Sequence, residues 1–190
     1  MQPASTGRWI KWVPNGLSLL RLVIAVTFPM LPQSARWRGP LILVAGLSDF
    51  GDGLIARRFG AASWPGGLLD AIADKGFVLS VLITIAVEGY LQPWQVLLLL
   101  CRDIVVATIA GFASIIRQWS TFRRMPARLS GKLTTGLIFV FLLVVMIGSD
   151  HIRVTQVFFA LAALFSTLAA ADYAVQFLRA YRIYRQQGPM

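Results

Sequence analysis

The chain has 190 residues, 57% of them hydrophobic and 14% charged, with a net charge of +10, one histidine and one cysteine. Soluble domains carry about 25% charged residues, so the composition describes a membrane protein, read as a single domain over residues 1–190. His151 and Cys101, each alone in its type, exclude a Cys/His zinc site, a Cys–His nucleophile pair and an intramolecular disulfide. Base chemistry falls to carboxylates.

A transmembrane helix needs about 20 apolar residues. Six stretches qualify in chain order: 12–31, 39–57, 66–87, 93–119, 132–148 and 154–177. The expected fold is all-α, an integral-membrane bundle of six transmembrane helices. Ahead of Pro14, Trp9, Ile10, Trp12 and Val13 read either as a short interfacial helix or as a plain aromatic belt. The basic, apolar start would also suit a signal peptide, but five further spans and no clear small-residue cleavage site favour an uncleaved helix.

Asp49 and Asp52 close the second stretch, and Asp70 and Asp74 open the third. They are half of the chain's eight acidic residues, placed where an ionisable side chain is costly and functional by default. At spacings of three and four, each pair projects from one helix face. Carboxylates converging in a low dielectric repel unless cations lie between them, and hard divalent ions, Mg²⁺ or Mn²⁺ where phosphate is the substrate, suit such a site. The four aspartates are therefore assigned to metal. The alternative pairs each with a basic residue, and only Arg57, Arg58 and Lys75 are near in sequence, with Lys75 pointing about 100° from Asp74.

Arg8, Lys11, Arg57, Arg58, Arg117, Arg123, Arg124, Arg128, Lys132, Arg179, Arg182 and Arg185 fall on one side of the six stretches, against Arg36, Arg38 and Arg153 on the other. The positive-inside rule then puts both termini, and the aspartates within about two turns of the boundary, on the cytoplasmic side. The positive charge lies at the ends of apolar stretches, which favours anionic lipid and phosphate-bearing substrates over nucleic acid.

The pattern Asp49-xx-Asp52-Gly53-xx-Ala56-Arg57, eight residues, Gly66-xxx-Asp70-xxx-Asp74 resembles the signature of the CDP-alcohol phosphatidyltransferases with every spacing intact. The resemblance implies transfer of a phosphatidyl group from CDP-diacylglycerol to an acceptor alcohol, with release of CMP, in a homodimer of a bacterial inner membrane. Two metal ions are implied, with Asp74 taking the acceptor's proton. Within this signature Gly53, Gly66 and Ala56 leave room for the nucleotide, with close helix packing as their alternative, and Arg57 offers a planar fork to a phosphate.

Three further places resemble the phosphatidylglycerophosphate synthase and cardiolipin synthase branch: Pro14-Asn15-Gly16-Leu17-Ser18-Leu19-Leu20-Arg21, Arg102-Asp103, and Arg128-Leu129-Ser130-Gly131-Lys132-Leu133-Thr134-Thr135. They nominate Arg21, Arg102, Arg128, Lys132 and Thr135 for the acceptor, glycerol 3-phosphate or phosphatidylglycerol being favoured and another polar alcohol such as inositol phosphate the alternative. Arg21 serves the headgroup or snorkels to the interface; Arg102 reads phosphate or pairs with Asp172 or another acid; the Arg128 loop is otherwise a positive-inside signal. Thr134 stands where the branch usually has a second lysine, so Thr134→Lys is expected to improve use of glycerol 3-phosphate. Two remote alternatives are an intramembrane prenyltransferase, whose acidic motifs lie far apart in sequence, and a cation carrier, whose acids would be spread across the membrane depth.

Overall fold

The structure, a computed structural model, describes residues 13–59, 64–115, 129–147 and 152–187, and within them the side chains of 15–49, 51, 69–113, 131–147 and 152–182. Every regular element among the described residues is helical: α1 (Val13–Thr27), a 3-10 turn (Phe28–Met30), α2 (Arg38–Phe59), α3 (Trp64–Val87), α4 (Pro93–Ile115), α5 (Leu129–Ile147) and α6 (Ile152–Gln187). The six helices fall on the six expected stretches. Trp9, Ile10 and Trp12, read as an interfacial helix or belt, lie outside the described residues.

Length and composition qualify two of the described helices to cross a membrane, at Pro93–Ala113 and Ile152–Arg182, with shorter apolar helices at Asn15–Met30 and Gly131–Ile147. α2 and α3 carry the aspartates of the motif, and α3 adds Lys75, so their apolar runs are interrupted by charge.

Local chemistry sets the helix ends. Pro93 opens α4, where its missing N–H costs nothing, and the Gln95 side chain accepts from the Gln92 backbone N–H at 2.7 Å, half of a capping box. α3 closes on Gly89 at φ +87°, with the Tyr90 N–H donating to Ile85 O and the Gly89 N–H to Ala86 O, the paired bonds of a Schellman cap. A side chain at position 89 would be strained in that left-handed conformation.

The chain divides into two compact units, residues 1–91 with 145–147, and residues 92–144 with 148–190. In the first, α1 packs on α2 and α3. Ala73, Phe77, Val78, Val81, Leu82 and Ile85 recur at helical spacing on the buried face of α3, while Ile72, Leu79 and Ile83 on its other faces are exposed. Ser80 Oγ donates to Ala25 O at 2.6 Å and ties α3 to α1. Arg38, at the start of α2, is buried over the Phe28 ring; it donates to both oxygens of Glu88 at 2.6 Å and to Leu31 O. Sequence reading counts Arg38 among the loop charges of one side; the fold uses it to join the start of α2 to the end of α3.

In the second unit α4 packs on α6. Ala162, Ala163, Ser166, Ala169 and Ala170 form a buried stripe of small residues along α6 that permits close approach, and Ser166 Oγ donates to Leu99 O at 2.8 Å across it.

Candidate active site

The start of α1, the end of α2 and the start of α3 meet at one end of the first unit, because α2 runs antiparallel to the other two. Ser18 and Arg21 are three apart on one face of α1, and both are buried. Arg21 Nη1 donates to Asp49 Oδ1 at 3.0 Å, and Nη2 to Asp70 Oδ1 at 2.9 Å. Asp74 Oδ1 stands 4.0 Å from Nη1. Ser18 Oγ donates to Asp70 Oδ1 at 3.2 Å. Three of the four motif aspartates are thus brought together from two helices around one guanidinium that is 0% exposed.

The carboxylates are not equivalent. Asp70 keeps 43% of its side-chain surface and Asp49 34%, whereas Asp74 keeps 18%. Asp74 Oδ1 is buried and receives no hydrogen bond. A carboxylate oxygen held out of water with a free lone pair is an unsatisfied acceptor, available to a proton or to a cation. The donor set is all hard oxygen, which fits Mg²⁺ or Mn²⁺. Among the described side chains no group of three or more His, Cys, Asp or Glu residues stands in metal-ligand geometry; the carboxylates are spread around Arg21 instead. Asp52, Gly53, Ala56 and Arg57 lie on α2 and Gly66 on α3, with side chains outside the described residues.

Sequence reading weighs only Arg57, Arg58 and Lys75, near in sequence, as alternative cation partners for these aspartates, and misses that Arg21 and Ser18 meet them. The available signal was their i, i+3 spacing on an otherwise apolar helix. Arg21 had been nominated for the acceptor; in the fold it faces the aspartates.

The other acceptor nominees that are described belong to the second unit. Arg102 Nη1 donates to Gly131 O and, at 3.2 Å, to Thr135 Oγ1, while Nη2 and Nε both donate to Asp103 Oδ1 at 2.9 and 3.2 Å. All three guanidinium nitrogens therefore serve protein acceptors. The acid that Arg102 meets is its own neighbour Asp103, while Asp172 Oδ2 accepts from Gln176. A Cβ on Gly131 would lie 3.2 Å from the Tyr173 hydroxyl and 3.6 Å from Arg102 Nη1, so glycine lets α5 start against this arginine. Lys132, in the first turn of α5, is exposed. Arg128 lies outside the described residues.

Thr134 is fully buried, its hydroxyl donating to Phe165 O at 3.2 Å. This corrects the expectation attached to Thr134→Lys: an ammonium at 134 would have to enter the packed face between α5 and α6, where an unpaired charge is prohibitive. That substitution tests packing, not acceptor choice.

The model of the CDP-alcohol phosphatidyltransferase family matches residues 11–168. A Mycobacterium tuberculosis protein whose name assigns it provisionally as a cardiolipin synthase is 34% identical over 139 residues, 71% of this chain and 64% of that protein. A Streptomyces coelicolor cardiolipin synthase (CMP-forming) is 35% identical over 107 residues, covering 52% of this chain and 50% of its own length. A Rickettsia bellii CDP-diacylglycerol–glycerol-3-phosphate 3-phosphatidyltransferase is 31% identical over 142 residues, 72% of this chain and 76% of that protein. The matches thus span less than two thirds of the mycobacterial relative and half of the Streptomyces one. The chain belongs to the CDP-alcohol phosphatidyltransferase family, a family of enzymes.

Proposed function

We propose that this chain is an integral-membrane enzyme of phospholipid biosynthesis that moves a phosphatidyl group from CDP-diacylglycerol to an acceptor alcohol and releases CMP. The observation that carries the reading is the convergence of Asp49, Asp70 and Asp74 from two helices of the family motif, with one buried carboxylate oxygen left without a hydrogen bond. Glycerol 3-phosphate and phosphatidylglycerol are the favoured acceptors, the first supported by the name of the Rickettsia relative; inositol phosphate is the alternative.

Asp49, Asp52, Asp70 and Asp74 would hold Mg²⁺ or Mn²⁺, two ions, which when bound screens the pyrophosphate charge and polarises its phosphoryl oxygens. The acceptor oxygen forms a new bond to the phosphatidyl phosphorus while the bond from that phosphorus to the CMP oxygen breaks. CMP leaves with the electron pair. The acceptor's proton passes to Asp74, whose buried Oδ1 has no competing donor. Gly53, Ala56 and Gly66 leave space for the nucleotide, and Arg57 offers its fork to a phosphate.

The test is CMP release by purified protein given CDP-diacylglycerol and each acceptor in turn. Excess EDTA is expected to abolish it and Mn²⁺ or Mg²⁺ to restore it; full activity in EDTA would remove the metal from the reading. Lys132, exposed at the start of α5, is expected to bind the acceptor's phosphate with Arg128, Thr135 and Arg102 nearby in sequence or structure. A charge-assisted contact contributes about 1.5–3 kcal/mol, so Lys132→Ala should raise the acceptor KM by roughly 10–150-fold with little change for CDP-diacylglycerol. Unchanged acceptor kinetics would reduce the Lys132 segment to a topology signal.

Six spans, both termini cytoplasmic, a homodimer and a bacterial inner membrane complete the proposal. Exposed Leu19, Val23 and Val26 on α1 and Leu43, Val44 and Leu47 on α2 support lipid contact even for helices interrupted by charge. In a Cys101→Ser background, a cysteine at Arg123 should react with an impermeant maleimide only from the cytoplasmic side, and one at exposed Tyr90 only from the other. The opposite labelling pattern would invert the topology and cut the site off from nucleotide.

A further inference from the structure

Three carboxylates and a fully buried guanidinium occupy the same few ångströms, which poses a charge problem that the family motif does not contain. Asp49 Oδ1 and Asp70 Oδ1, the oxygens that the two exposed carboxylates turn inward, are each within 3.0 Å of Arg21. Asp74 approaches the same nitrogen as Asp49. Ser18, one turn before Arg21, engages the same Oδ1 of Asp70, so α1 addresses this cluster through two side chains and not through an incidental long arm. Any cation that enters the cluster meets a resident positive charge contacting the oxygens it needs.

We infer that Arg21 is a built-in counter-cation: it holds the α2 and α3 carboxylates together while divalent ions are absent, and it competes with those ions for Asp49 and Asp70, so that α1 sets the metal affinity of the site. This rests on the metal reading of the aspartates given above. The physical basis has two parts. Without the guanidinium, carboxylates at this spacing repel and all three lose the cation that they share, so the ion-free fold weakens. With the guanidinium, every bound divalent ion works against a unit positive charge at contact range, where Coulomb terms remain large even with strong solvent screening. Arg21 is thus a positioning residue, acting on substrate only through the carboxylates it holds. A monovalent resident also explains how three carboxylates are tolerated together while the chain folds and inserts before ions are loaded.

The two effects have opposite signs, which gives the test its force. Free Mn²⁺ is titrated by its EPR signal against the full-length protein in detergent, and the melting temperature is read in EDTA and at saturating Mn²⁺. Arg21→Met should lower the melting temperature in EDTA by about 5 °C or more, yet tighten Mn²⁺ binding by at least about tenfold, so that Mn²⁺ stabilises the variant more than it stabilises the wild type. Arg21→Lys, which keeps the charge, should hold the affinity within a few-fold of wild type. Arg21→Gln, neutral but retaining donor hydrogens, gives the same readout if methionine is not tolerated, and recovery of either neutral variant only when Mn²⁺ is present throughout is the expected sense of the effect. Mn²⁺ affinity unchanged or weaker in both neutral variants, with Asp49→Asn still losing Mn²⁺, overturns the counter-cation role and leaves the metal site standing. A wild-type chain that binds no Mn²⁺ overturns both.

Discussion

Asp74→Asn is expected to lower the rate of CMP release by about 100- to 10,000-fold, the range set by removal of a positioned general base. The substitution keeps the shape of the side chain and removes the charge and basicity with which the carboxylate takes the acceptor's proton. The structure adds a second expectation of opposite sign. Asp74 Oδ1 is buried without a hydrogen-bond donor, and the Arg21 guanidinium stands 4.0 Å from it. Its charge therefore opposes the ion-free fold, and the neutral amide should raise the melting temperature in EDTA while slowing turnover. This is the trade between stability and activity expected where a site is built from mutually repelling groups. Substrate saturation and melting curves measured on the same preparation check both halves. Turnover within a few-fold of wild type would move the base elsewhere, and a lowered melting temperature would show that the carboxylate is stabilising after all.

Breaking the Arg38–Glu88 pair should produce the largest loss of stability outside the site. Arg38 is buried, engages both Glu88 oxygens at 2.6 Å, and caps Leu31 O while lying over Phe28. Removing one partner of a buried ion pair costs about 3–5 kcal/mol because the other is left uncompensated. Arg38→Met is therefore expected to lower the melting temperature by roughly 6–20 °C for a chain of this size. Pairing it with Glu88→Leu should recover most of that loss, since two apolar groups leave no buried charge behind. At a temperature where Arg38→Met remains folded, CMP release per molecule should match wild type, because this pair joins the far ends of α2 and α3 from the aspartates. A single substitution as mild as a surface change, below about 0.5 kcal/mol, would show that the pair is solvated and adds little.

The helices were legible in the sequence because apolar runs of membrane length are a local property, and Pro93 and Gly89 punctuate them for local reasons. Among the described residues the helices fall in order on the expected stretches, two of them qualifying by length and composition to cross a membrane, and polar and charged residues carry α6 ten residues past its expected apolar stretch, to Gln187. The aspartate pairs were legible too, since i, i+3 and i, i+4 spacing places residues on one face whatever the helix packs against. Family membership followed from the same spacing.

What only the tertiary structure decided is which charges meet. Arg21 is 28 residues from Asp49 and 49 from Asp70, and Arg38 is 50 from Glu88; no local rule links residues so far apart. In a low dielectric each buried charge must find an opposite one, and the helix arrangement settles which is within reach. Sequence reading therefore counts Arg38 only as a loop charge, weighs only sequence neighbours as alternative partners for the aspartates, and leaves Arg102 between a phosphate and an acid, whereas Asp103, Gly131 and Thr135 occupy its three nitrogens. Thr134 carries the same lesson: a phosphate-facing lysine was expected by position along the chain, but the rotation of α5 against α6 buries that position and makes it a matter of packing.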